Sequence, residues 1–128
     1  MNIDTEIDEE VLPDCSKETC PSGVAAIRDT LYVLNGKWKL PLIFALSGGP
    51  LRFKDIQRSL GDITPKMLSK ELKDLELNEF VERIYSTTPA TVTYGLTPYS
   101  RSLHKVTREL IDWGKQHRQR IGASRKSG

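Results

Sequence analysis

The sequence has no long hydrophobic run. Its 128 residues are 38% hydrophobic, and no apolar stretch approaches the roughly 20 residues that a helix needs to cross a bilayer. The first ten residues are acidic, unlike the basic and then apolar start of a secretory signal peptide. We therefore expect a cytoplasmic protein that has no membrane partner.

Residues that carry metal or covalent chemistry are also scarce. The chain has two cysteines, Cys15 and Cys20, and two histidines, His104 and His117, far from them in sequence, whereas zinc sites usually show closely paired ligands. A nucleophile elbow, a glycine-rich phosphate loop and a histidine pair on one helix are all missing. These absences predict a protein that is not an enzyme and binds no metal or cofactor. In the cytoplasm, its cysteines are expected to be free thiols.

Charge is distributed unevenly along the chain. Residues 1–20 contain seven acidic residues and one basic residue. The remaining 18 basic and 10 acidic residues give the rest of the chain a net charge of +8. We interpret residues 1–20 as an acidic flexible arm, 21–121 as one folded domain and 122–128 as a flexible basic tail. A basic domain suits a polyanionic partner.

Hydrophobic spacing predicts helices and one β-hairpin. Apolar residues recur at helical intervals, so we expect helices at about 22–34, 37–47, 54–60, 65–78 and 98–116. Residues 80–86 and 91–96 are rich in β-formers on either side of a turn at 87–90, which is typical of a hairpin. A short extended piece at 51–53 precedes the third helix. The predicted fold class is α+β and mainly α.

The fourth predicted helix has two different faces. Thr64 is a suitable N-cap and Pro65 stands where a helix most readily accepts proline. Three leucines at helical spacing face inward, namely Leu68, Leu72 and Leu75. The opposite face carries Lys66, Ser69, Lys70 and Lys73.

Two short helices joined by a tight turn, the second with a basic outer face and a two-stranded ribbon after it, form the plan of a winged helix-turn-helix. Such a helix fits the DNA major groove, which is about 12 Å wide. The candidate contacts to double-stranded DNA are Arg52, Lys54, Arg58, Thr64, Pro65, Lys66, Ser69, Lys70, Lys73 and Arg83. The alternative is an ordinary solvated face, in which Glu71, Asp74 and Glu76 offset the lysines.

Several short motifs, in this order, resemble the HxlR-type bacterial transcriptional regulators. The resemblance covers residues 20–114 and rests on Cys20-Pro21, Leu34-x-Gly36-Lys37-Trp38, Gly49-Pro50-Leu51-Arg52-Phe53, Ile63-Thr64-Pro65-Lys66-Met67-Leu68, Leu72-x-x-Leu75-Glu76, Val81-x-Arg83 and Tyr94-x-Leu96-Thr97-Pro98. The chain departs from the family pattern after Thr97-Pro98, where Tyr99-Ser100 replaces the usual polar residue and glycine.

The resemblance implies a winged-helix repressor or activator that acts as a homodimer and associates with the nucleoid when bound to DNA. The fourth helix would read the DNA, and extra first and last helices would form the dimer. The first and last predicted helices are more apolar than a lone winged-helix core requires, and Trp113 is a natural interface anchor. The candidate interface residues are Val24, Ile27, Leu31, Leu110 and Trp113.

Cys20 matches the position at which members of this family carry a cysteine that reacts with electrophiles or oxidants. The resemblance therefore implies a redox switch at Cys20, whereas a buried cysteine ordinarily packs as a small apolar residue. A small-molecule effector is left open as a further partner. The alternative function is a winged-helix protein-interaction module that does not bind DNA.

Overall fold

The structure is a computed structural model that describes residues 20–127, with the side chains described through residue 123. The acidic arm that the sequence predicts therefore lies outside the described residues, apart from Cys20. The chain divides into two units with a boundary between Gly36 and Lys37. Each unit is described by itself.

The described part of the first unit contains helix α1, Cys20–Val33, and the residues 34–36 that follow it. The helix begins two residues before the predicted start at about residue 22, and the Thr30 hydroxyl donates to the Ala26 carbonyl at 2.8 Å. None of the residues in α1 is buried. Gly36 follows with a φ of 92°, a backbone conformation that favours glycine.

The second unit begins with a three-helix core and continues into a hairpin and a long helix. Its elements are α2 (Lys39–Ala45), a 3-10 turn (Leu46–Gly48), α3 (Phe53–Leu60), α4 (Pro65–Leu77), β1 (Val81–Thr87), β2 (Ala90–Leu96), a 3-10 helix (Pro98–Leu103) and α5 (His104–Ser127). The core side chains of this unit are Leu42, Ile43, Leu46, Ile56, Ile63, Leu68, Leu72, Leu75, Phe80 and Val81. This order of elements confirms the predicted α+β, winged helix-turn-helix architecture.

The second helix is shorter than its pattern predicts. Trp38 precedes α2 as its cap residue, and α2 begins at Lys39. Pro41 is the third residue of the helix, where the backbone needs no N–H donor because the first turn has no acceptor for one. The proline therefore lies in the first turn, where a helix tolerates it.

The hairpin is antiparallel and pairs Val81 with Leu96 at one end and Thr87 with Ala90 at the other. Only Thr88 and Pro89 remain in the turn, two residues fewer than predicted. Leu51 adds a short bridge beside β2, because its N–H and carbonyl both bond to Tyr94, at 3.0 and 2.8 Å. This bridge confirms the extended piece predicted before the third helix.

The end of the chain differs from the prediction at both ends of the last helix. Residues Pro98–Leu103 form a 3-10 helix, and α5 follows from His104. The Thr97 hydroxyl accepts from the Ser100 N–H at 3.2 Å and the Ser100 hydroxyl donates to the Phe80 carbonyl, which holds this first stretch in place. The helix runs on to Ser127, through the predicted tail, since its polar residues after Gln116 are themselves good helix formers.

The departure from the family pattern at Tyr99-Ser100 has a packing role. The rings of Tyr99 and Phe80 are stacked with centroids 5.4 Å apart, and Ser100 is buried. Both residues fix the end of the hairpin against the start of the 3-10 helix.

Candidate nucleic-acid interface

The N-terminus of α4 is closed by the cap that the sequence predicts. Thr64 is extended, with a ψ of 156°, and its hydroxyl accepts from the Met67 N–H at 3.1 Å. Pro65 occupies the first position of the helix, where its missing N–H had no partner to lose. The first turn of α4 is thus capped and exposed.

The two faces of α4 are as different as the spacing predicts. Leu68, Leu72 and Leu75 are buried in the core, and the outer face is exposed. Its members are Lys66, Ser69, Lys70 and Lys73, which we call the α4 basic face. The structure thus brings these four predicted contact residues together on one solvent-facing surface.

The lysines of the α4 basic face differ in their partners. Lys70 pairs with Asp74 at 3.2 Å, one turn further along. Among residues 20–123, neither Lys66 nor Lys73 is part of an ion pair. Lys66 and Lys73 are therefore the cations of this face that are available to an external anion.

A buried ion pair behind the α4 basic face was not predicted. Lys39 of α2 is only 5% exposed and Glu71 of α4 is 7% exposed, and the Lys39 Nζ lies 2.6 Å from the Glu71 Oε1 and 3.4 Å from the Asp74 Oδ2. A sequence signal did exist. Lys39 continues the inward stripe of Leu42, Ile43 and Leu46, and Glu71 falls among the inward leucines of α4.

The pKa of Lys39 is raised above its ordinary value. Burial is the largest single influence and lowers it, but the hydrogen bonds and charges of Glu71 and Asp74 together outweigh burial. The pKa of Asp74 is lowered in turn, because the bonds from Lys70 and Lys39 outweigh its own burial. Lys39 is therefore charged at neutral pH and ties α4 to α2 electrostatically.

The three candidate DNA contacts on and before α3 are exposed, and two of them form ion pairs within the protein. Arg52 and Arg58 both bond to Asp55, at 3.2 and 3.1 Å, and the hydrogen bond from Arg52 is the main reason that the pKa of Asp55 is lowered. Lys54 is exposed and has no ion pair within the described part of the chain. Lys54 is thus the more available cation of these three.

Arg83 lies at the base of the wing, the name we give to the β1–β2 hairpin. Its Nε donates to the Glu76 Oε2 at 2.8 Å, and its guanidinium lies 5.9 Å from the centre of the Tyr94 ring. The bond to Glu76 is the first cause of its raised pKa. Arg83 therefore connects the end of α4 to the wing, a positioning role that the sequence did not indicate.

The candidate dimer residues are exposed on their own helices. Val24, Ile27 and Leu31 recur along α1, and Leu110 and Trp113 lie on α5. Trp113 is 64% exposed, and its ring stacks on His117 with centroids 4.9 Å apart. Each helix thus presents large apolar side chains that it does not bury itself.

Cys20 is disulfide-bonded at the start of α1. The expectation of a free thiol is therefore wrong for Cys20, because it rested on the reducing character of the cytoplasm and not on the local sequence. Cys15 lies outside the described residues. The described residues do not gather three or more histidine, cysteine or acidic side chains that could hold a metal ion.

None of the helices between residues 20 and 127 combines the length and the apolar character that a membrane crossing requires.

The arrangement is that of a winged helix-turn-helix protein. It consists of a capped helix with a basic outer face, two helices packed behind it and a two-stranded wing after it. The model of the HxlR-like helix-turn-helix family matches residues 33–121. The chain belongs to this family.

Two bacterial transcriptional regulators are similar to this chain over most of its length. It is 33% identical over 114 residues to the uncharacterized HTH-type transcriptional regulator YybR of Bacillus subtilis, covering 88% of this chain and 87% of YybR. It is 41% identical over 87 residues to BH0655, an uncharacterized HTH-type transcriptional regulator of Halalkalibacterium halodurans, covering 66% of this chain and 77% of BH0655.

Two solved structures of regulatory proteins are similar to this chain in fold and sequence. The redox regulator HypR in its reduced form is 32% identical with a TM-score of 0.70, covering 77% of this chain and 98% of HypR. The reduced form of the transcriptional regulator YodB of B. subtilis is 37% identical with a TM-score of 0.64, covering 71% of this chain and 90% of YodB.

Proposed function

We propose that the protein is a transcriptional regulator that binds specific duplex DNA through the α4 basic face. The observation that carries this proposal is that Lys66 and Lys73 form no ion pair with residues 20–123. Both lie on a capped helix whose other face is fixed in the core. The similarity to YybR and BH0655, which are HTH-type transcriptional regulators, supports it. The protein then works in the bacterial cytoplasm, at the nucleoid when bound, and has no catalytic activity of its own.

The proposal assigns separate roles to the contact residues. The N-terminal turn of α4, with Thr64, Pro65 and Lys66, approaches base edges and the nearest phosphate, because a helix N-terminus attracts anions. Ser69 is short enough to touch bases, and Lys73 reaches a phosphate further along. Arg52, Lys54 and Arg58 hold the flanking backbone, whereas Lys70 and Arg83 must share their charge with Asp74 and Glu76.

The functional unit in this proposal is a homodimer. Large apolar side chains that remain exposed on a small protein mark an interaction surface, and α1 and α5 both carry them. A two-fold dimer places its two reading helices in successive major grooves, about 34 to 36 Å apart, and favours a pseudo-palindromic site. The proposed interface residues are Val24, Ile27, Leu31, Leu110 and Trp113.

We further propose that the oxidation state of Cys20 regulates DNA binding. Its disulfide supports this role. So does its similarity to the redox regulator HypR, whose structure is known in reduced and oxidized forms, and to YodB, whose structure is known in diamide-treated and quinone-bound forms. A small-molecule effector is the other kind of input that fits a regulator of this class.

The proposal is tested by fluorescence anisotropy on duplex DNA. The protein is titrated against its own promoter region and against a random duplex of equal length, at two salt concentrations. We expect salt-sensitive binding to both duplexes and tighter binding to the promoter. A folded dimer that binds neither duplex would instead favour a protein-interaction module.

The same titration tests the redox input. The wild type and Cys20→Ser are compared in dithiothreitol, which reduces the disulfide to thiols, and in diamide, which oxidises thiols. We expect the promoter affinity of the wild type to differ between the two conditions and that of Cys20→Ser to remain constant. Equal wild-type affinity in both conditions would refute the redox role and leave DNA binding intact.

A further inference from the structure

A groove of about 900 Å³ lies within the second unit, along the first half of α5. Its lining comes from α2, the 3-10 turn after it, both strands of the wing and residues 98–115. This volume falls in the range of clefts that hold small molecules, about 300 to 1,000 Å³. DNA binding by the α4 basic face makes no use of the groove.

One wall of the groove is apolar. Ile43, Leu46 and Ile111 line it, together with Ile84 and Leu96 of the wing. Phe44 stands at the same groove with 55% of its surface exposed. A hydrocarbon group bound here would remove the exposed ring and the apolar wall from water, which is energetically favourable.

The charged side chains in the rest of the lining are mainly cationic. This part of the lining contains Arg101, Arg108 and Lys115 but only one carboxylate, Asp112. None of these three cations forms an ion pair with another residue between 20 and 123. Arg108 and Lys115 are seven residues apart on α5, so they lie on one face about two turns from each other. The groove therefore pairs an apolar wall with unused positive charge.

Thr107 adds a hydrogen-bonding group to the same groove. Its hydroxyl oxygen is buried and has no hydrogen-bond partner among the described residues. A buried hydroxyl without a partner costs free energy, and this cost is removed if a bound molecule supplies the partner. Polar groups at a few points of an apolar cleft are what orient a small ligand.

We propose that this groove binds an amphipathic organic anion, whose aromatic or branched hydrocarbon body lies on the apolar wall and whose carboxylate or sulfonate faces Arg108 and Lys115. The anion's role as an effector rests on the proposed function. Both strands of the wing line the groove, so a bound anion contacts the wing and affects its position. The wing follows α4 directly in the sequence.

Fluorescence of 8-anilinonaphthalene-1-sulfonate, an aromatic anion that becomes bright on apolar surfaces, measures binding without DNA. We expect one site per protomer. We also expect 1-naphthoate to displace the dye at about a tenfold lower concentration than 1-naphthamide, its uncharged analogue, because only the former gains a charge-assisted bond. Equal displacement by the two compounds would overturn the proposal.

Variants locate the site. The double variant Arg108→Ala/Lys115→Ala should lose the preference for 1-naphthoate and keep the affinity for 1-naphthamide. Lys105→Ala is the matched control, since Lys105 is an exposed lysine of α5 that does not line the groove. A preference that survives in the double variant places the anion elsewhere and overturns the assignment.

A second copy of the chain is the rival occupant. Sedimentation velocity in the same buffer gives the oligomeric state of the protein that binds the dye. Dye binding by the intact dimer supports the ligand site, whereas binding that appears only after dissociation shows that the partner covers the groove and overturns the proposal.

The effector role has its own readout. Saturating 1-naphthoate should change the affinity for the promoter in the wild type but not in the double variant. Bound 1-naphthoate with unchanged promoter affinity refutes the effector role alone. Failure of DNA binding without any ligand refutes the proposed function and leaves the dye measurements valid.

Discussion

Among single residues, Lys39 of α2 forms a buried ionic contact with the inner side of α4. A charge that is buried loses its hydration, and this free-energy cost is offset only by close, well-placed partners. Lys39 has two such partners, Glu71 at 2.6 Å and Asp74 at 3.4 Å. Its raised pKa means that the stability from this pair is fully present below the unfolded value of about 10.5, and is lost only as the pH rises through the folded value.

Replacement of Lys39 tests this role. Lys39→Met leaves Glu71 buried without its cation, so we expect the free energy of unfolding to fall by about 3 kcal/mol in urea denaturation. The control is Lys39→Met/Glu71→Leu, in which an apolar pair replaces the ionic one and most of the loss should be recovered. A single variant within about 0.5 kcal/mol of the wild type, as for a surface substitution, would show that the pair does not hold α4.

The exposed residues of the candidate site could be predicted from the sequence better than the residues that hold them in place. Helical spacing alone places Lys66, Ser69, Lys70 and Lys73 on one face. The partners of Lys39 and Arg83 depend on which helices and strands meet in three dimensions, and no local pattern states that. For the buried pair, the available clues were Lys39 and Glu71, each at an inward position of its helix.

At the scale of elements, the junction between α4 and the wing contains a residue in an unusual conformation. Glu79 has a φ of 66°, in the left-handed region that favours glycine. Hydrogen bonds hold it there: its N–H donates to the Glu76 carbonyl at 3.0 Å, and its carbonyl accepts from the Thr97 hydroxyl at 2.6 Å. The turn that aims the wing is therefore mildly strained.

A glycine at this position should relieve the strain. We expect Glu79→Gly to raise the free energy of unfolding by about 1 kcal/mol, because a left-handed conformation costs most other residues about that much. Glu79→Ala removes the same carboxylate but keeps a Cβ, so it serves as the control in the same urea titrations. Equal stability of the two variants would exclude backbone strain at this turn.

The elements themselves were predictable wherever their ends depend on local chemistry. Thr64 and Pro65 fix the start of α4, and the structure places the cap and the proline as predicted. The last helix was predicted less well, because its 3-10 start depends on the bond between Ser100 and the Phe80 carbonyl, 20 residues away in sequence. Its end was predicted too early, because α5 continues beyond the last apolar residue of the helical spacing.

In the whole molecule, each kind of surface has a different proposed partner. The α4 basic face is proposed for DNA, the exposed apolar residues of α1 and α5 for a second copy, and the groove beside α5 for an organic anion. The family is established by the match over residues 33–121. The central claim is that the α4 basic face is the part that meets DNA.

The most direct test of that claim is the salt dependence of DNA affinity in lysine variants, measured by fluorescence anisotropy. Lys66→Ala and Lys73→Ala should each reduce the slope of log affinity against log salt by about one for every reading helix that lost a phosphate contact. Lys105→Ala, which removes an exposed lysine from α5, should leave the slope unchanged. Slopes that stay at the wild-type value in both α4 variants would contradict the account.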